Sequence, residues 1–310
     1  MENRKKCDLF GFVGCLLSSY HNHDDNNVCD CDDYGGNVFN STCLYHAFHL
    51  IPTSTQRRQT MVCTIEISEK PQLNDPILIE GLPGIGFVAN IAALHLINEL
   101  KAKRFAEIVS ASFQDFAVTT ETGGTRSPLN ELYYYKREDG GRDLIIWYGN
   151  TQALTTFGQY ELCGKVLDLV QELGCRCVIS VGGFKKDEVQ PVPAVYSAAT
   201  DQEAMKEALD LGTKIMVGHI FGIAGLLIGL GRLRGVKGFS LLVDTLGMYP
   251  DANAARHALA LVGKYLDLNI DVSKLDAAAE QTKKVLESFG LIRNVAEEKK
   301  KEEQQMRWFI

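Results

Sequence analysis

From Met61 onward, short apolar runs alternate with longer segments whose apolar residues recur every three or four positions. The short runs are rich in β-branched and aromatic residues, which is typical of strands buried on both faces. They lie at 77–79, 108–109, 144–148, 177–181, 214–217 and 239–243. Helical periodicity covers 87–100, 157–173, 201–209, 220–233 and 252–266. This alternation predicts an α/β fold, a three-layer sandwich with helices on both sides of a sheet.

Smaller features complete this outline. The segment 132–135 predicts a hairpin strand ahead of the run at 144. No stretch reaches the eighteen or so uncharged apolar residues that cross a membrane; 215–230 comes closest, and His219 and several glycines interrupt it.

The net charge of -7, with acids and bases interspersed, argues against a nucleic-acid partner. Six of the nine cysteines precede residue 64, so the rest of the chain is typical of a reduced, cytoplasmic protein.

Residues 1–60 differ from the rest of the chain, because they are dense in Cys, His, Asn and Asp and show no strand or helix period. We interpret them as a disordered or mis-assigned N-terminal extension, with a natural beginning at Met61. The apolar run 9–17 has the outline of a signal peptide but lacks an Ala-x-Ala site. The spacing of the candidate zinc ligands differs from the ligand spacing of common zinc fingers, so no metal site is predicted. These candidates are His21, His23, Cys29, Cys31, Cys43, His46 and His49.

A glycine-rich turn follows the first buried strand. Gly84-x-Gly86-x-x-Ala89 satisfies the dinucleotide-binding pattern, which also needs an acid at the end of the next strand. Glu107 lies at the wrong end of that strand. We therefore favour a structural role, in which Gly81, Pro83, Gly84 and Gly86 shape a tight strand-to-helix turn. An enzyme that binds a nucleoside or nucleotide at this turn stays open as an alternative.

The region after Met61 offers few candidates for catalysis, and no Gly-x-Ser-x-Gly, His-Glu-x-x-His or Walker motif is present. Its three histidines, His95, His219 and His257, are more often structural or surface residues than bases. Cys175 and Cys177 alternate along a strand, so their thiols are expected on opposite faces. Free carboxylates could serve as acids or bases at Asp187, Glu188 and Asp244. We expect no enzyme activity, no catalytic residue and no cofactor.

Four stretches together resemble the proteasome assembly chaperone family, particularly its archaeal members. Three of them read IEGLPGIGFVAN, HIFGIAGLLIGLG and GFSLLVDTLGMYPDANAARHALALVGKYL, and the fourth is the helical C-terminal segment. The resemblance covers about Met61 to the end of the chain. It implies a nucleoside phosphorylase-like fold without the catalytic residues, self-association into a homo-oligomer, and help in assembling the proteasome core particle. A second assembly chaperone is a further partner that the resemblance allows.

The resemblance also gives a role to the last residues of the chain. Family members carry a hydrophobic-tyrosine-any tripeptide that enters pockets between α subunits of the core particle, with the terminal carboxylate pairing with a pocket lysine. Here Trp308 is the hydrophobic position, Phe309 replaces the tyrosine, and Ile310 supplies the last side chain. Because Phe309 lacks the hydroxyl, one hydrogen bond of about 1 kcal/mol is missing while the ring packing is kept.

The predicted organisation is therefore an α/β chaperone domain over 61–272 and a C-terminal helix with a proteasome-docking tail over 273–310. Apolar residues recur at helical spacing over 275–289, and oppositely charged pairs over 297–303 favour an extended helical spacer. The predicted function is that of a non-enzymatic, ATP-independent assembly chaperone or adaptor of the proteasome, which docks on the α ring of the core particle through this tail. An activator that opens the core-particle gate with the same tail is the alternative.

Overall fold

The computed structural model describes residues 63–120, 122–275 and Lys284. The expectations for residues 1–60, and nearly all of those for the C-terminal helix and tail, lie outside the described residues. Within the described ranges, the chain forms a nine-stranded mixed sheet and a separate two-stranded hairpin. None of the helices in this part of the chain combines the length and hydrophobicity needed to span a membrane.

The strands, in chain order, are β1 Thr64–Ile67, β2 Ile77–Gly81, β3 Lys103–Val109, β4 Val118–Thr119, β5 Thr125–Arg126, β6 Asn130–Tyr135, β7 Leu144–Gly149, β8 Cys177–Lys185, β9 Val195–Ser197, β10 Lys214–Ile215 and β11 Lys237–Thr245. The helices are α1 Val88–Leu100, α2 Thr156–Glu172, α3 Gln202–Asp210, α4 Ile223–Leu233 and α5 Ala252–Leu266. A short 3-10 turn, Ile85–Phe87, leads into α1. Side chains of Thr155, Asp201 and Asp251 accept backbone hydrogen bonds that cap α2, α3 and α5.

The strand order of the large sheet is β1-β3-β6-β7-β2-β8-β11-β9-β10. Its centre, β7-β2-β8-β11, is parallel, and antiparallel pairs flank it on both sides. In the centre, Ile79 of β2 is in register with Ile146 of β7 and Ile179 of β8. Parallel strands covered on both faces need apolar residues throughout, which explains the uninterrupted runs in the sequence.

Two hydrophobic cores lie on opposite faces of the sheet. The first contains Ile79 and the buried faces of α1 and α5, and the second contains Leu78 and the buried faces of α2 and α4. Successive residues of β2 point to opposite faces, so each strand contributes to both cores. The predicted layers, with helices on both sides of a sheet, are confirmed.

The differences from the sequence prediction lie at one side of the sheet. The prediction of a buried strand over 214–217 is wrong: β10 has two residues, both exposed, because it pairs only with β9 at the edge. The helix predicted from 220 begins at Ile223, since Gly222 takes a positive φ of 77° just before it. Strand β9 was not predicted, because its three residues form too short an apolar pattern.

Candidate interaction surface

The four parallel strands end at one edge of the sheet, which we call the carboxyl edge. The loops that meet there follow Gly81 of β2, Gly149 of β7, Lys185 of β8 and Thr245 of β11, and another loop precedes α4 at Gly222. In open α/β sheets, binding sites form where the carboxyl ends of the strands meet. The glycine-rich turn singled out in the sequence lies at this edge.

The glycines of this turn permit close packing. A Cβ at Gly81 would lie 2.1 Å from the Cβ of Ala93, so α1 lies almost in contact with β2. Gly86 has a φ of 62°, and a Cβ there would lie 2.7 Å from Thr245 Oγ1. At Gly84, by contrast, a Cβ would meet nothing within 4 Å. This geometry supports the structural interpretation at Gly81 and Gly86, whereas neither packing nor backbone conformation requires a glycine at Gly84.

The dinucleotide pattern fails for a topological reason. The strand after α1 is β3, and β6 and β7 lie between it and β2. At about 4.8 Å per strand, the end of β3 is roughly 14 Å from the end of β2, too far for an acid there to reach a ribose held at the turn. Glu107 itself pairs with Arg104 on the same strand.

Hydrogen bonds tie the carboxyl-edge loops to one another. Gln152 donates from Nε2 to the carbonyl of Pro83 at 2.6 Å, and its Oε1 accepts from the backbone amide of Ile223 at 3.2 Å. The amide of Asp251 donates to the carbonyl of Gly86 at 2.9 Å. Loops from four distant parts of the sequence therefore form one connected surface.

This surface is apolar and exposed. The segments 82–87, 150–157, 218–223 and 246–250 contain no Asp, Glu, Lys or Arg. Phe157 and Phe221 are 74% and 87% exposed. We define the carboxyl-edge apolar surface as Ile85, Leu154, Phe157, Phe221, Leu246, Met248 and Tyr249, each of them more than 40% exposed. Exposed apolar side chains clustered on neighbouring loops mark interaction sites.

The opposite edge of the sheet is charged. Arg137 pairs with Asp139 and donates to the backbone carbonyl of Asp267 at 3.0 Å. Lys237 bridges Glu203 and Glu207 at the start of β11. The two edges thus differ in chemistry, and the apolar one is suited to a partner that removes it from water.

Sequence reasoning missed Glu80, which precedes the glycine turn on β2. Its side chain is 1% exposed, and its Oε1 accepts from the amide of Leu82 at 2.9 Å. Burial raises the pKa of the Glu80 carboxyl to about 8, because the charged form loses its water. The only signal in the sequence was an acid directly after the apolar run PILI.

The histidines considered as bases make separate contacts. His95 is buried, and its Nε2 lies 2.6 Å from the carbonyl of Asp271. His257 Nδ1 lies 2.9 Å from the carbonyl of Asn253. His219 stacks on Phe221, with ring centroids 6.1 Å apart. In the described ranges, the structure does not assemble these residues into a catalytic group, and no three His, Cys, Asp or Glu side chains there are placed to hold a metal ion.

The other candidate groups are also dispersed. Cys175 lies in the core under α2 and Cys177 in the core under α1, which confirms that the thiols face opposite ways. Burial raises the pKa of the Cys175 thiol to about 12. Asp187 and Glu188 follow β8 in an exposed loop, and Asp244 is part of β11.

The tail residues Trp308, Phe309 and Ile310 lie outside the described residues, and their role stays a prediction. The structure does show where the chain leads towards them. Lys274 contacts Glu99 near the end of α1, and Leu275 is buried in the core that contains α1. Since α1 starts at the carboxyl edge and runs away from it, the chain reaches Leu275 near the charged edge.

The fold and its apolar edge define a mixed α/β protein with a surface suited to binding. The chain belongs to the PAC2 family, whose sequence model matches residues 78–289. It is 32% identical over 230 residues to an uncharacterized protein of Methanocaldococcus jannaschii, covering 74% of this chain and 88% of that one.

Two solved structures from Pyrococcus furiosus are similar over most of their length. PbaB, an archaeal proteasome activator, is 42% identical with a TM-score of 0.67, covering 74% of this chain and 99% of PbaB. PbaA, an archaeal homolog of proteasome-assembly chaperone, is 27% identical with a TM-score of 0.60, covering 72% of this chain and 94% of PbaA. A protein of Mycobacterium tuberculosis, at 19% identity and a TM-score of 0.54, shares the fold, covering 72% of this chain and 98% of its own.

Proposed function

We propose that this protein acts on the proteasome core particle without catalysis, as an assembly chaperone or activator that docks on the α ring through its C-terminal tail. The observation that carries this proposal is the 42% identity to a protein described as an archaeal proteasome activator, over 99% of that protein. The assembly-chaperone homolog PbaA, at 27% identity, gives independent support for the proteasome as partner.

The two identities favour different roles. The higher identity to PbaB supports activation, in which the tail opens the gate of a mature core particle. The similarity to PbaA supports assembly, in which the protein acts before the particle is complete. Peptide hydrolysis by mature core particles, with and without this protein, separates the roles: activation predicts faster hydrolysis, and assembly predicts no change.

The contacts of the candidate catalytic groups support a role without chemistry. His95 and His257 each contact a backbone carbonyl, and burial raises the pKa of the Cys175 thiol to about 12. A nucleoside-binding enzyme is the competing hypothesis. Calorimetric titration with nucleosides, nucleotides and dinucleotides tests it, and saturable micromolar binding would favour it over the present proposal.

Energetics favour docking by several tails at once. Burial of Trp308 and Phe309 at ~200 Å² each yields roughly 10 kcal/mol gross. Ordering six or seven flexible residues costs about 1–2 kcal/mol each, which offsets most of that gain. A single tail therefore binds weakly. Several tails on one homo-oligomer raise the effective concentration and the avidity.

Deletion of residues 308–310 tests the docking step. We expect the deletion variant to lose pull-down of core particles, because the apolar anchors are gone. The matched control is Leu233→Ala, which removes an exposed apolar side chain from the end of α4. Undiminished binding by the deletion variant would contradict tail docking.

A further inference from the structure

We propose that the carboxyl-edge apolar surface is the face through which copies of this chain associate with one another. The inference deepens the proposed function, since it names the surface that would gather several tails in one particle. Its own evidence is the surface itself and does not require the tails to bind the proteasome.

The area of the carboxyl-edge apolar surface fits an interface between two copies of the chain. The seven side chains of the carboxyl-edge apolar surface expose roughly 800 Å² together, if a fully exposed large side chain counts ~200 Å². A standard stable interface buries about 800 Å² on each partner. The largest apolar patch on a typical monomer is only about 300–600 Å². This surface is therefore large enough to hold two copies together and larger than a lone chain normally exposes.

The composition of the carboxyl-edge apolar surface is typical of the centre of an interface. Aromatic residues and Met are enriched in the centre of protein interfaces, and charged residues are depleted there. The surface contains Phe157, Phe221, Met248 and Tyr249, and its four loop segments contain no charged residue. The four loop segments themselves offer a charged partner no complementary group, and the nearest lysine, Lys185 at the end of β8, lies beside Gly247. An identical surface on a second copy is complementary without any charge pairing, as in two-fold symmetric contacts.

The loops of the carboxyl-edge apolar surface hold one another in fixed positions. Gln152 connects the loop after β2 to the start of α4, and Asp251 connects the loop after β11 to Gly86. A Cβ at Gly183 would lie 2.2 Å from the carbonyl of Ile85, so β8 directly supports the loop that exposes Ile85. Preformed loops lose little conformational entropy on binding, which favours permanent association.

The position of the C-terminal segment agrees with this arrangement. Lys274 pairs with Glu99 near the end of α1, away from the carboxyl edge, and Leu275 is buried beside it. Association through the carboxyl edge therefore leaves the base of each tail uncovered. The same copies can then offer more than one tail to a ring of α subunits.

The test uses the full chain with Phe157→Asp and Phe221→Asp combined, and measures mass by sedimentation velocity over a concentration series. Both side chains are exposed in the single chain, so the substitutions leave its core intact. We expect wild type to sediment as an oligomer and the variant to dissociate at least ~100-fold more readily, the effect of losing two central anchors. The matched control is Leu233→Asp, which introduces a carboxylate at the end of α4, where the Leu233 side chain is 81% exposed.

Three results would overturn the inference: a monomeric wild type, an unchanged mass for the double variant, or dissociation after deletion of residues 308–310. The last would mean that the tail, and not the apolar surface, holds the copies together. Hydrogen exchange of the wild type at decreasing protein concentration is a second measurement, which does not depend on whether the variant folds. We expect 150–157 and 246–250 to lose protection as the oligomer dissociates, and protection that is independent of concentration would reject the proposal.

The outcome is distinguishable from failure of the proposed function. If only tail docking is wrong, deletion of residues 308–310 leaves both the oligomer and core-particle binding unchanged. If only the surface is wrong, the double variant keeps its mass and the tail deletion still abolishes pull-down.

Discussion

Glu80 of β2 and Ser180 of β8 are register partners at the centre of the sheet, and both side chains are buried. Within the described residues, neither Glu80 Oε2 nor Ser180 Oγ has a hydrogen-bond partner. A buried carboxylate with one unpartnered oxygen is costly, whereas a neutral carboxyl is much less so. This is the physical reason that the pKa of Glu80 rises to about 8.

The first prediction concerns pH. Between pH 4.5, the ordinary pKa of Glu, and about pH 8, the folded protein keeps the proton on Glu80 while the unfolded chain loses it. The unfolded state therefore binds fewer protons, so stability falls as pH rises through this window. The slope due to this group reaches at most about 1.4 kcal/mol per pH unit. Glu80→Gln stays neutral, so we expect a flatter curve in urea unfolding from pH 5 to pH 8.

The matched control for this prediction is Glu172→Gln, which neutralises an exposed carboxylate at the end of α2. It should keep the wild-type slope, since it leaves the buried Glu80 carboxyl unchanged. Equal slopes for wild type and Glu80→Gln would show that the Glu80 carboxyl is not held neutral by the fold.

The second prediction separates the glycines of the turn. Gly81→Ala places a Cβ 2.1 Å from that of Ala93, so α1 must move away from β2. We expect a loss of about 1–3 kcal/mol in the free energy of unfolding. Gly84→Ala is the control, because its Cβ meets nothing within 4 Å and its φ is -155°. We expect it to stay within about 0.5 kcal/mol of wild type. Similar losses in both variants would contradict the packing role of Gly81.

The third prediction concerns a buried polar pair beside the carboxyl edge. Trp147 Nε1 donates to Asn130 Oδ1 at 3.0 Å, and Asn130 Nδ2 donates to the carbonyl of Thr151 at 2.9 Å. Asn130→Ala leaves both groups without these partners, so we expect a loss of about 2 kcal/mol or more in urea unfolding. Asn253→Ala, which changes an exposed amide on α5, is the control and should cost little. A loss below about 0.5 kcal/mol for Asn130→Ala would show that the pair is replaceable.

The fourth prediction tests the proposed tail. Phe309→Tyr restores the hydroxyl of the family tripeptide, so we expect core-particle binding to tighten roughly fivefold, the equivalent of about 1 kcal/mol. Phe309→Ala removes the ring and should weaken binding. The measurement is affinity for immobilised core particles at fixed salt. If both variants bind as wild type does, Phe309 does not enter a pocket.

Much of the fold could be predicted from the sequence. The runs at 77–79, 144–148, 177–181 and 239–243 all lie within strands, because a parallel strand covered on both faces must be apolar along its whole length. Helical periodicity gave α5 with its observed bounds, Ala252–Leu266, since one face of a surface helix packs on the sheet.

The strand order and the interaction surface could not be predicted in this way. That β6 and β7 separate β3 from β2 depends on hydrogen bonds between distant segments, which leave no periodic signal. Ile85, Phe157, Phe221 and Met248 are far apart in sequence and become one surface only when four strands end at the same edge. Local pattern determined which segments are strands and helices, because burial of a face imposes a period. Only the tertiary structure decided which loops meet and that Glu80 is buried, because proximity and solvent exclusion arise from packing between segments.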